Sequence, residues 1–100
     1  MNISLDYDDT YTKDPEFWNN FIIQCQTRDH TVYCVTLRNA VEKLELLDSI
    51  GKLIPEENII FCNYKSKYKV CQSKNITIDV WIDDMPWFVG MDFKFGANFK

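Results

Sequence analysis

Ile3-Ser4-Leu5-Asp6-Tyr7-Asp8-Asp9-Thr10 is the stretch from which the fold of this 100-residue chain can be read. Ile3 and Leu5 form a short apolar run that leads into three carboxylates within four positions and then a hydroxyl. Residues 2–6 therefore predict a buried strand, with the acids carried at its exposed C-terminal end. Crowding carboxylates together is unfavourable unless a cation sits among them. The cation, and the frame that holds it, have to come from the rest of the chain.

Downstream of the acids, Asp14 suits an N-cap and Pro15 the first helical position. Phe17, Trp18, Phe21, Ile22 and Cys25 recur at three- and four-residue spacing, an amphipathic helix. Thr31 to Thr36 is β-branched and aromatic and predicts a second strand. Asn39 can cap a second helix with apolar positions Ala40, Val41, Leu44, Leu47 and Ile50, stopped by Gly51. After Pro55, Asn58 to Cys62 predicts a third strand. Lys65 to Lys74 predicts a short helix with Tyr68, Val70 and Cys71 as its apolar positions. Ile76 to Ile82 predicts a fourth strand, placing Ile76, Ile78, Val80 and Ile82 on one face and Trp81 on the other. It stops at Asp83-Asp84, and Met85-Pro86 forbids a central ladder beyond. The aromatic remainder, Trp87 to Lys100, predicts a short fifth strand or a docked tail.

Strand and helix alternate throughout, which implies an α/β domain: a mostly parallel sheet of four to five strands with helices on both faces. Sites in such sheets lie beyond the C-terminal strand ends. That rule selects Asp6 to Thr10, Thr36, and Asp83 with Asp84.

Length predicts one domain, residues 1–100. A hydrophobic share of 46% disfavours disorder, and a net charge of -4 argues against a general nucleic-acid binder. Cys25, Cys34, Cys62 and Cys71 form no C-x-x-C, and His30 is the only histidine, so a zinc site is disfavoured. The thiols are expected to be reduced core residues. The amino terminus lacks the pattern of a signal peptide, and no apolar run approaches a membrane span. The expected location is cytoplasmic, with no membrane partner.

With these elements in order, Asp6-Tyr7-Asp8-Asp9-Thr10 resembles the D-x-D-x-T motif of the haloacid dehalogenase-like (HAD) superfamily. Thr36 falls where that family has its motif II hydroxyl, Lys67 where it has its motif III lysine, and Asp83-Asp84 where it has its acidic motif IV. The resemblance implies a Rossmann-like domain and a Mg²⁺-dependent phosphatase. Asp6 would be the nucleophile that forms an aspartyl-phosphate, and Asp8 the acid/base that also lends its backbone carbonyl to the metal. Asp83 and Asp84 would complete the metal shell, Thr36 would hold a phosphoryl oxygen, and Lys67 would neutralise Asp6 and the phosphoryl group. Lys67 lies 83 − 67 = 16 positions before Asp83, room for a helix and a strand, and Lys65 is the reserve. Asp9 and Thr10 are expected to shape the turn. Arg38 stands evenly between a substrate contact and a plain surface charge, and Tyr7 and Tyr11 between lining the site and packing.

Only residues 11–13 separate the first motif from the first helix, and the link from Ile50 to Asn58 is short, so no cap domain is expected. An uncapped site implies a phosphorylated substrate that can be macromolecular. Two alternatives stand beside the phosphatase: a HAD-derived phosphate-binding or interaction module with little turnover, and a phosphatase of nucleic-acid termini drawing on Lys65, Lys69, Lys74 and Arg38.

Overall fold

β1 (Asn2–Leu5) takes the interior of the sheet, where Ile3 and Leu5 are buried and small Ser4 fills the opposite face. The computed structural model of the chain describes residues 1–91. β1 pairs on one side with β2 (Thr31–Thr36) and on the other with β4 (Val80–Ile82), and β3 (Ile59–Phe61) extends the sheet beyond β2. The order is β3-β2-β1-β4 and every pairing is parallel. Parallel neighbours need crossovers, which three helices supply: α1 (Pro15–Thr27), α2 (Lys43–Leu47) and α3 (Lys67–Ser73).

The period-two alternation of the strands divides the core into two. Ile3, Leu5, Val32, Cys34 and Ile59 face Ile22 and Cys25 of α1 and the Leu46–Ile54 segment. Val35 and Ile60 face Cys71 of α3, with Tyr33 and Trp81 packed alongside. The expected α/β class, the parallel sheet and the helices on both faces are present, and the described residues hold no cap domain. The residues between Asp6 and α1 form no more than a turn, with a 3₁₀ segment at Tyr11–Lys13. Asp14 accepts from the Phe17 amide and Pro15 opens α1; Asn39 likewise accepts from the Val41 amide. All four cysteines are buried free thiols. Among the described residues, no helix is long and apolar enough to cross a membrane.

Two elements differ from expectation. The fourth strand is only Val80–Ile82, not Ile76–Ile82. Asn2 anchors the preceding segment: its Nδ2 donates to the Thr77 carbonyl, its backbone N–H donates to Asp79 Oδ2, and its carbonyl accepts from the Asp79 amide. The chain turns there, so Ile76 and Ile78 pack with Trp81, while Ile82 belongs to the other core and Val80 is exposed. The second helix is also broken: a 3₁₀ turn at Ala40–Glu42 precedes α2, and another at Ile50–Lys52 follows it. The change of pitch slips the phase, so Leu46 and Ile50 are buried while Val41 and Leu44 are exposed. Gly51 sits inside the second of these turns, where a Cβ would meet the Leu46 carbonyl at 3.1 Å. Pro86–Val89 forms a 3₁₀ turn rather than a strand, and residues 92–100 of the expected fifth strand or tail lie outside the described residues.

Candidate active site

The backbone ladder continues one residue past β1, because the Asp6 amide donates to the Ile82 carbonyl at 2.9 Å. Leu5 is in register with Ile82, so the acids that follow each strand emerge side by side. Asp6, Asp83 and Asp84 each offer a carboxylate oxygen, and the three oxygens lie within 4.8 Å of one another.

The cation expected among them is Lys67, the second residue of the Ser66-capped turn that opens α3. Its Nζ donates to Asp6 Oδ1 at 2.9 Å and to Asp83 Oδ2 at 2.5 Å, and all three side chains are almost wholly buried. Lys65, the reserve, is exposed and has no place in the cleft. Thr10 does more than shape its turn, since its hydroxyl lies 3.2 Å from Asp6 Oδ2 and 3.4 Å from Asp84 Oδ1. Asp9 stays outside this cluster: it takes a left-handed φ of 61°, and its amide donates to the Thr12 hydroxyl.

Burial pushes the Asp6 carboxyl up to about 7, with Lys67 pulling against the rise and Asp84 and Asp83 adding to it. Burial pulls the Lys67 ammonium down, but the charge on Asp6 and the bond to Asp83 outweigh it, so its pKa ends above the usual lysine value. Three carboxylates against one ammonium leave a formal charge of -2, which a divalent cation would balance. The donors are hard oxygens, the type that divalent cations such as Mg²⁺ and Ca²⁺ take, so the residues present could hold such an ion.

Asp8 behaves differently. Arg38 grips it in a fork, Nη2 to Oδ1 at 2.7 Å and Nε to Oδ2 at 2.9 Å. The same guanidinium reaches Glu45 at 2.8 Å and Glu42 at 3.7 Å and lies 5.3 Å from the Tyr7 ring centroid. Tyr7 is buried, stacks on Tyr11, and shares its hydroxyl with Glu45 and Ser49. Tyr7 and Tyr11 are therefore packing residues that support the loop from beneath. Thr36 is buried at the end of β2 and its hydroxyl accepts from the Arg38 amide; it does not line the cleft.

The cleft has a volume of about 420 Å³. Asp6, Asp8, Asp9, Glu42, Asp83, Asp84, Arg38 and Lys67 line it, together with Leu37, Tyr64, Met85 and Phe88. Neither this apolar lining nor the Arg38–Asp8 fork is foreseen by the motifs, because both depend on loops meeting in space. Tyr64 reaches the cleft from a left-handed backbone, φ 64°, directly after Asn63 at φ 51°. A bulky residue there costs on the order of 1–2 kcal/mol. The Tyr64 amide donates to the Leu37 carbonyl at 2.7 Å and the Asn63 amide to the Arg38 carbonyl, and these bonds hold the turn against β2's exit. Lys65, Lys69 and Lys74 are not among the lining residues.

Comparison of the chain with family models, curated proteins and solved structures finds no match. What can be said of its chemistry rests on the cleft itself, an acidic site with one buried lysine at the C-terminal edge of a parallel α/β sheet.

Proposed function

We propose that the chain is a capless, Mg²⁺-dependent phosphomonoester hydrolase of the haloacid dehalogenase-like kind, with Asp6 as its nucleophile. One observation carries the proposal: Asp6, Asp83 and Asp84 converge on adjacent strand ends around a buried Lys67. Asp6 and Asp83 share the single buried ammonium of Lys67, one buried carboxylate more than the cations beside them, with Asp84 exposed at their edge, and burying charge without full pairing is costly.

In this scheme an Asp6 oxygen attacks phosphorus, the bond to the ester oxygen breaks, and the leaving oxygen takes a proton. Water then attacks the resulting aspartyl-phosphate, releasing inorganic phosphate and restoring the Asp6 carboxylate. Bound Mg²⁺ supplies charge neutralisation of the phosphoryl oxygens. Asp83 and Asp84 would hold it with Asp6, and the Asp8 backbone carbonyl would be the further protein donor. Lys67 screens the charge on Asp6 from the incoming phosphoryl group, and Thr10 fixes the orientation of the Asp6 carboxylate. Asp8 serves as acid and base once it leaves Arg38, and Thr36 holds a phosphoryl oxygen if the β2 exit opens towards the cleft. Reduced, buried thiols favour a cytoplasmic setting.

Phosphate release from a simple phosphate monoester is the test. Release should require Mg²⁺, stop on chelation, and be abolished in Asp6→Asn. Full activity in Asp6→Asn overturns the proposal.

A further inference from the structure

Resting on that assignment of Asp6, we infer that the cleft takes a phenolic phosphate monoester, a single phosphoryl group carried on an aromatic ring. The first argument is charge. Six carboxylates line the cleft against Arg38 and Lys67, a formal balance of -4 that a divalent ion reduces only to -2. Arg38 is already committed to Asp8, Glu45 and Glu42. A substrate with several phosphates would meet repulsion with no unspent cation to receive it. One phosphoryl group on an uncharged remainder is what this field tolerates.

The second argument is the apolar part of the cleft lining. Met85 directly follows the acid pair and Leu37 directly follows Thr36, so apolar surface begins one residue from the groups that would handle phosphate. In a phenolic ester the ring begins at the ester oxygen itself and would enter that surface at once. A sugar or seryl phosphate would place hydroxyls or peptide groups there instead, which cost free energy to desolvate without partners. Phe88 and Tyr64 add aromatic side chains to the lining, Tyr64 from a left-handed backbone.

A third point concerns the leaving group. Both oxygens of Asp8 are engaged by Arg38. A phenol, near pKa 10 like tyrosine, departs with far less help than an aliphatic alcohol. The clamp is thus compatible with phenolic esters and obstructive for alkyl ones.

Steady-state phosphate release with Mg²⁺ tests this on free phosphotyrosine, on phosphotyrosine and phosphoserine in the same short uncharged peptide, and on adenosine triphosphate. Phenolic esters are intrinsically the more reactive, so KM and variants decide. Phosphotyrosine should show a KM about tenfold or more below phosphoserine, and Leu37→Ala and Met85→Ala should remove that advantage. Both residues are partly exposed, so the fold should survive. A gain in the peptide over the free amino acid assigns a protein source, and equal values assign a small molecule; either supports the phenolic class. Equal KM for the two peptides, preference for the triphosphate, or variants that act alike on both esters overturns the inference. No release from any ester overturns the hydrolase assignment itself, a separate result.

Discussion

Lys67 and Arg38 both hold carboxylates at the same end of the sheet, yet their settings are opposite. The Lys67 side chain is 3% exposed and those of Asp6 and Asp83 are 8% and 4%, whereas Arg38 is 20% exposed and its partners Asp8 and Glu45 are 48% and 54%. Taking three charges out of water costs several kcal/mol per ion, and their attraction returns this only when every partner is in place. The outer cluster incurs little of that cost and gains correspondingly little. The inner cluster is a place where charge is held under tension, and the outer one a place where loops are tied. The difference separates carboxylates locked to a buried cation from Asp8, which a partly exposed cation holds and can release.

Removing the inner cation should have the largest effect. Lys67→Met leaves Asp6 and Asp83 buried without their cation, and such breaks cost about 3–5 kcal/mol. Urea unfolding of the metal-free protein at pH 8 reads this directly. At pH 5 the loss should be smaller, because Asp6 can neutralise itself by taking a proton. Mg²⁺ should restore part of it at pH 8. A loss under about 1 kcal/mol would erase the contrast, since that is the range of an exposed pair.

A smaller effect is expected from pH and metal together. The folded Asp6 carboxyl titrates near 7, above its usual 3.8. Between these values the folded protein holds a proton that the unfolded chain has lost. Stability of the metal-free protein therefore falls as pH rises from about 4 to about 7 and levels off above. Mg²⁺ requires the ionised carboxylate, so its stabilisation should run the other way, slight at pH 5.5 and full by pH 8. At ten times Kd it is worth about 1.4 kcal/mol, or roughly 6–10 °C in Tm for a domain of this size. Thermal melts with and without Mg²⁺ across that range check both slopes. A pH-independent metal shift would mean that Asp6 is not among the ligands.

Much of the inner cluster was legible in the sequence. A buried strand that ends in acids, and a second strand that ends in an acid pair, must place those acids together once the strands are neighbours in a parallel sheet. The site lysine came from the resemblance, and the 16 positions between Lys67 and Asp83, room for a helix and a strand, ranked Lys67 above Lys65. The outer cluster was not legible, because Arg38 meets Asp8 only through the relative heights of two loops, and no local pattern encodes that. The fourth strand failed for a related reason. Ile76, Ile78, Val80 and Ile82 alternate as a strand should, but Asn2 hooks the chain at Thr77 and Asp79 and reverses the face. In the α2 region 3₁₀ turns interrupt the 3.6-residue period, so Leu46 is buried although no helical stripe marks it, and Val41 and Leu44 fall outside the core. Local periodicity identifies an element well and says little about where a distant side chain pins it.

The smallest effect on stability should come from Arg38→Ala. The fork to Asp8 is well formed and the guanidinium lies over Tyr7, but the partners remain half in water. A loss of about 0.5–1 kcal/mol is expected, shrinking in 1 M salt as exposed pairs do. Lys67→Met should keep its deficit in the same salt, because a buried pair is poorly screened. Kinetics should separate the two roles of the outer cluster. On the proposed mechanism, Asp8 freed from its fork would protonate the leaving oxygen, so Arg38→Ala should improve turnover of a seryl phosphate relative to a phenolic one. If the loss of stability instead exceeds about 2 kcal/mol and resists salt, Arg38 is as deeply coupled as Lys67. The cleft would then hold one continuous charged network, and Asp8 would have to be released by substrate rather than by solvent.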